Sequence, residues 1–188
     1  MAEGLQHAGQ YIIEDLRLVT TTGVEINLIT SVLGITFFED ISSMTVTGTI
    51  AIVDSVNLAS HGPLLGQEYL HLKIRTPFVN KDESATIDFS KNAFLVHSIS
   101  KRQKLTSGGG GAVQGFVLSF VSQELVKNQR LKVTQSLTGT WSNIVKKMLT
   151  DKKYLNTKKK INLEPTAGVK KFVCPNIRPL DVVIMGMK

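Results

Sequence analysis

The chain has 188 residues, of which 42% are hydrophobic and 20% charged; that is ordinary globular usage and excludes wholesale disorder. Its length suits one domain of ordinary size or two small ones. The formal net charge of +7 is divided unevenly, with 5 Lys and Arg against 11 Asp and Glu over residues 1–94 and 17 against 4 over residues 95–188.

The first two-thirds of the chain reads as strand after strand. Residues 11–20 and 24–29 flank Thr21-Thr22-Gly23, a hairpin-turn sequence. Over 31–41 the apolar residues Val32, Leu33, Ile35, Phe37 and Phe38 fit no single period, which leaves a short helix, a bulged strand or a buried loop open. From 44 to 52 the alternation is clean, with Met44, Val46, Ile50 and Ile52 on one face and Thr45, Thr47 and Thr49 on the other. The same parity returns at Leu70, Leu72 and Ile74, and again at Phe116, Leu118 and Phe120. Residues 94–100 and 112–122 flank a polar stretch containing Gly108 to Gly111. That stretch reads as a flexible hairpin tip; no Lys-Ser/Thr follows it, so it is not a phosphate-binding loop. Six or seven strands at this spacing predict a closed or nearly closed antiparallel β-barrel over 11–135, after a flexible N-terminus over 1–10.

The pattern changes after about residue 136. Trp141, Ile144, Val145, Met148 and Leu149 form one stripe of an amphipathic helix, which Thr138 or Thr140 can cap. Lys146, Lys147, Lys152 and Lys153 crowd its C-terminal half, where the helix dipole favours cations. Strand candidates follow at 161–163 and 171–174, and Pro179 can open a final helix over 180–187. The expected fold class is therefore mainly β: an antiparallel six-to-seven-stranded barrel followed by an α+β segment over 136–188. As read, that segment is the unfinished start of a second unit, because one helix, two strands and a further helix do not easily close a core. A longer chain or a partner is expected to complete it.

Motifs of chemistry are scarce. No nucleophile elbow, zinc-protease helix or paired-cysteine cluster occurs, and one cysteine with four scattered histidines provides neither a disulfide framework nor a structural zinc site. No apolar run approaches the roughly 18 residues that span a bilayer, and the first ten residues lack a secretory pattern, so a soluble protein made inside the cell is expected. His71 and His97 are placed to face each other on neighbouring strands, but no carboxylate or cysteine completes a site. Asp54 and Glu68 lie at strand ends beside Ser55 and Gly66, which favours turn-capping hydrogen bonds over acid–base work. Cys174 ends an alternating strand and reads as a small buried apolar residue. Lys158-Lys159-Lys160 lacks interleaved aromatics and makes a poor nucleic-acid platform.

One ordered series of residues carries a resemblance. The segment from Gly48 to Pro77 has a strand ending in Asp54, apolar Leu58 and Leu64, then Gly66-Gln67-Glu68 and a second strand. After it come a strand ending near Phe120 to Glu124, Asn128, the helix from Trp141, and Pro175 with Pro179 before a helix. This series resembles the N-terminal barrel of the central baseplate hub proteins of contractile-tailed phages, relatives of the trimeric spike proteins of type VI secretion systems. The resemblance implies a structural subunit of a virion, assembled in the host cytoplasm. Its homotrimeric ring would join the tail tube protein to the central spike protein, among other baseplate proteins. It implies no catalytic residue, cofactor, metal or small-molecule substrate, no stable membrane insertion, and DNA only as cargo through a central channel. Asp54, Gly66 and Glu68 are its structural turn positions.

Ring assembly needs an interface that closes on itself, and an acidic half meeting the basic half of the next copy supplies one. Candidate interface residues are Trp141, Lys158, Lys159, Lys160, Lys170 and Lys171. The alternative is a nucleic-acid-binding β-barrel that uses the basic half. A cell-wall hydrolase would need a carboxylate pair in a cleft, for which the sequence offers little.

Overall fold

The alternating segments fold as strands of one antiparallel sheet, in a computed structural model that describes residues 10–54, 58, 64–76, 86–106 and 112–187. The N-terminal residues 1–9 and the glycine-rich tip at 107–111 lie outside the described residues. Two compact units divide the chain. The first takes residues 1–40 and 46–122, the second residues 41–45 and 123–188.

In the first unit β1 (Ile12–Val19) and β2 (Glu25–Asn27) form the expected hairpin, closed by backbone bonds between Thr20 and Val24 and from Gly23 to Thr20. β3 (Val32–Phe38) resolves the aperiodic stretch: it is a strand, bulged between Val32 and Gly34, and the bulge is what blurs its period. β4 (Thr47–Asp54), β5 (Tyr69–Arg75), β6 (Thr86–Asp88), β7 (Phe94–Thr106) and β8 (Ala112–Ser122) complete the sheet. Its order is β2-β1-β5-β7-β8-β4-β3, with β6 paired to β5 beside this path. Among the described residues the sheet therefore has eight strands, rather than six or seven, and its ladder does not close hydrogen bond by hydrogen bond. The strands at its two ends, β2 and β3, are consecutive in the chain. Near the corner between them the Leu28 amide donates to Leu16 on β1, and Ser31 accepts from the Val53 amide on β4. One bent stretch of chain thus serves both ends of a barrel-like sheet.

Parity sorts the side chains as read. Along β4, Gly48, Ile50, Ile52 and Asp54 are buried while Thr47, Thr49, Ala51 and Val53 are half-exposed. Leu16, Leu18, Leu28, Ile50, Ile52, Leu70, Leu72, Phe94, Val96, Phe116, Leu118 and Phe120 make one core. Within it Phe94 lies 4.8 Å from Phe120 and 4.4 Å from Phe89 between ring centres, in tilted contacts. Gly48 is required here for space. A Cβ at that position would run into the Phe120 ring and the Thr36 carbonyl. On the outer surface Glu14 pairs with Lys73 and Arg75, and Arg17 with Asp15 and Glu25. These exposed pairs set local geometry and add little stability.

The second unit has a core of its own, against the expectation that it could not close one. α1 (Gln123–Arg130), β9 (Ser136–Gly139), α2 (Trp141–Thr150), β10 (Lys170–Val173) and α3 (Pro179–Met187) surround Val133, Leu137, Ile144, Val145, Met148, Tyr154, Cys174, Val182 and Val183. Thr140 caps α2 by accepting from the Asn143 amide. Asn128, almost fully buried, accepts from the Leu180 amide at the first turn of α3, where Pro179 supplies no donor. β10 pairs with β9, whereas residues 161–163 form no strand. The apolar Ile161 and Leu163 suggested one, but no ladder partner is present for them. Residues 41–45 join this unit too, and Met44 packs on its core. The barrel parity that begins at Met44 in the sequence is therefore kept from Val46 onward, where Val46 packs on the first core. By contacts the boundary lies between Ser122 and Gln123, earlier than residue 135, because α1 belongs with the second unit.

Candidate functional site

The turn residues of the first unit form one built feature. Glu68 is buried at the start of β5, and its carboxyl group accepts from three consecutive backbone amides, those of Leu65, Gly66 (3.0 Å) and Gln67 (3.1 Å). Gly66 has a φ of +77°, and a Cβ there would stand 3.3 Å from the His97 carbonyl oxygen, so both conformation and space call for glycine. The Gly-x-Glu sequence is therefore a self-capped loop, as its composition suggested. Asp54 is likewise buried, at the end of β4 opposite Gln114 on β8. Each carboxylate stands at an end of its own strand, Asp54 at the last residue of β4 and Glu68 just before β5. His71 and His97 do not face each other. The β5–β7 register pairs Tyr69 with Leu95, and the His71 Nδ1 lies 2.6 Å from the Ser90 carbonyl instead.

A hollow lies in the second unit. A groove of about 490 Å³ is lined by α2 (Trp141, Val145, Leu149), by α3 (Leu180, Val183, Met187) and by the irregular stretch 157–166. That stretch is held at both ends. At one end the Glu124 carboxylate of α1 accepts from the Thr157 hydroxyl at 2.6 Å and pairs with the Lys159 ammonium at 3.1 Å. Burial opposes the charge on Glu124, but these two partners outweigh it and hold its carboxyl below the usual carboxylate range. At the other end Thr166 accepts from the Ser142 amide at 3.0 Å and donates its own amide to the Ser142 hydroxyl at 3.3 Å. Beyond the stretch a second hollow of about 260 Å³ is lined by Lys146, Thr150, Ile161 and Leu163.

The six candidate interface residues separate on this geometry. Lys158, Lys160, Lys170 and Lys171 are exposed; Lys158 reaches Asn156. Lys159 is tied to Glu124 inside its own unit, with about one-third of its side chain exposed. Trp141 is half-buried, its ring 5.0 Å from that of Phe172 and packed over Gly186, so it is first a packing element. Cys174 is buried, and burial pushes its thiol up, away from nucleophile chemistry. The Glu124–Thr157–Lys159 cluster escaped sequence reading because α1 is polar and short and its partners lie more than thirty positions away. The Glu at the first turn of α1 was the available signal.

The charge divides more sharply by unit than by sequence half. The first unit holds 8 Lys and Arg against 11 Asp and Glu, the second 14 against 4, giving −3 and +10. Among the described residues no group of three His, Cys, Asp or Glu is placed to hold a metal ion, and no helix is long and apolar enough to cross a membrane.

No protein-family model and no curated protein matches the sequence. Among solved structures the chain is similar to the crystal structure of the tail protein from Neisseria meningitidis MC58. The identity is 12% and the TM-score 0.45, over 92% of this chain and 43% of that one. The chain thus spans less than half the length of that protein.

Proposed function

We propose that this chain is a structural subunit of a phage-type tail baseplate hub, three copies of which form a ring between the tail tube and the central spike. The observation that carries the reading is the capped turn at Gly66-Gln67-Glu68 that leads into β5. Of the residues by which the sequence resembles the hub barrel, Asp54 and Glu68 are buried, and the Glu68 carboxyl caps a loop whose positive φ at Gly66 calls for glycine. The division into a unit of −3 and a unit of +10 supports it, since copies in a ring present one face to the other. Exposed Leu33 and Phe38 on β3 add apolar area for such a contact, while rim charges set its orientation. In this role the protein needs no cofactor, resides in the virion tail, and meets DNA only as cargo.

The test is mass in solution, measured by sedimentation on the full chain alone and with tube and spike proteins added. A trimer is expected. A monomer in every mixture overturns the reading. Reversing Lys158 and Lys160 to Glu should lower the assembled fraction and leave thermal unfolding unchanged. Lys159 must be spared, because its loss also frees Glu124.

The charge of the second unit favours one other reading, a nucleic-acid-binding module. It predicts affinity for single-stranded DNA that falls steeply with salt. Binding that is absent or indifferent to salt removes it.

A further inference from the structure

We infer that the groove of the second unit is a docking site for an acidic, apolar-anchored polypeptide segment of a partner protein. Three observations carry this. The groove's size falls in the range of clefts that enclose a ligand, and its lining is mainly apolar. Its lip leaves Met187 61% and Leu163 37% exposed, so apolar surface stands open to solvent where a segment would enter. The third is charge. The lining itself balances in number, with Glu124 and Glu164 against Lys159 and Lys160, of which Glu124 and Lys159 form an ion pair. The unit around it carries +10, and exposed Lys146, Lys147, Lys152 and Lys153 follow one another along and just beyond α2. A positive field of this kind draws an acidic chain and repels a basic one.

The wall formed by residues 157–166 suits a peptide. It stands between two hollows, with Ile161 and Leu163 lining both, and is pinned at its ends by Glu124 and Ser142. The stretch between these latches has no strand or helix, so its side chains, not a ladder, shape the wall. The proposal does not depend on the hub reading, and a chain that stays monomeric tests it equally well.

Trp141 is the chain's single tryptophan and lines the groove, so its emission reports occupancy directly. The probes are two synthetic amphipathic peptides of equal length, one of Leu, Phe and Glu and the other of Leu, Phe and Lys, titrated into the full chain. The expected result is a saturable change in Trp141 emission with the acidic peptide only, weakening as salt rises. Met187→Glu should reduce that affinity at least tenfold, and Lys160→Glu about threefold. Both positions are exposed, and unchanged thermal unfolding of each variant shows that the fold is kept. No saturable response, or equal response to both peptides, overturns the proposal. So does emission that shifts with protein concentration alone, which would make a second copy the occupant. A stronger response to single-stranded DNA than to the acidic peptide overturns it in favour of nucleic acid.

Discussion

The two units of this molecule solve the same packing problem in opposite ways. The first buries one face of a large sheet, and almost every core residue comes from a strand whose neighbours share its parity. The second assembles three helices and a two-stranded ladder around a smaller core, and leaves a groove beside it. A sheet core is set by periodicity and tolerates little change. A core of mixed elements is joined by single polar contacts, such as Asn128 to Leu180 and Glu124 to Lys159, and these are where it can be altered. The comparison teaches that one core is fixed by a repeated pattern, whereas the other depends on a few separate polar contacts.

Substitutions can break that contrast. The largest effect is expected from Gly48→Val. The new side chain meets the Phe120 ring and the Thr36 carbonyl, and neither can retreat within a filled barrel-like core. A loss of about 3 kcal/mol or more is expected, confined to the first unit and read by denaturant unfolding with probes in each unit. Equal loss in both units would show that they unfold as one body. Met148→Ala, at a fully buried position of α2, should cost the second unit about 2 to 3 kcal/mol. It sits at the low end of such changes because Val145 and Leu149, on either side of it, border the groove and can relax. A larger loss would mean that the groove wall is stiffer than its latches imply.

Glu124→Gln sharpens the contrast by pH. The carboxyl of Glu124 is held below its ordinary value of 4.5, so its contribution is present above that value and disappears as the pH falls through the lowered one. Near neutral pH the variant should lose about 1 kcal/mol of second-unit stability, an amount reduced because Lys159 is one-third exposed. Once the pH has fallen below that lowered value, wild type and variant should converge. A gap that persists in acid would assign the loss to packing instead of charge.

How far the sequence reveals the structure follows the same division. Alternation at 46–52, 70–74 and 116–120 places the barrel-like core because a strand's period is short and each buried residue declares itself locally. Trp141 to Leu149 shows α2 for the same reason. The polar helix α1 gives no such stripe, and its place depends on Asn128, Glu124 and Lys127 reaching residues far along the chain. β9 and β10 are four residues each, too short for a period to register, and the false strand at 161–163 shows how little three apolar positions decide. Among site residues, Gly66 and Glu68 were legible because a glycine followed by a capping carboxylate is local chemistry. The groove was not, since it is made by three elements that only the fold brings together.

The five residues 41–45 carry a practical lesson. They are synthesised with the strands around them yet lodge in the later unit, with Met44 against its core. A gene fragment that begins at Gln123 would omit a piece of the body it is meant to encode. The early connection must wait on the ribosome for its docking place to emerge. Anyone dissecting this protein by truncation should expect the shorter half to need those few residues supplied back, as a peptide or a grafted leader, before it holds its shape.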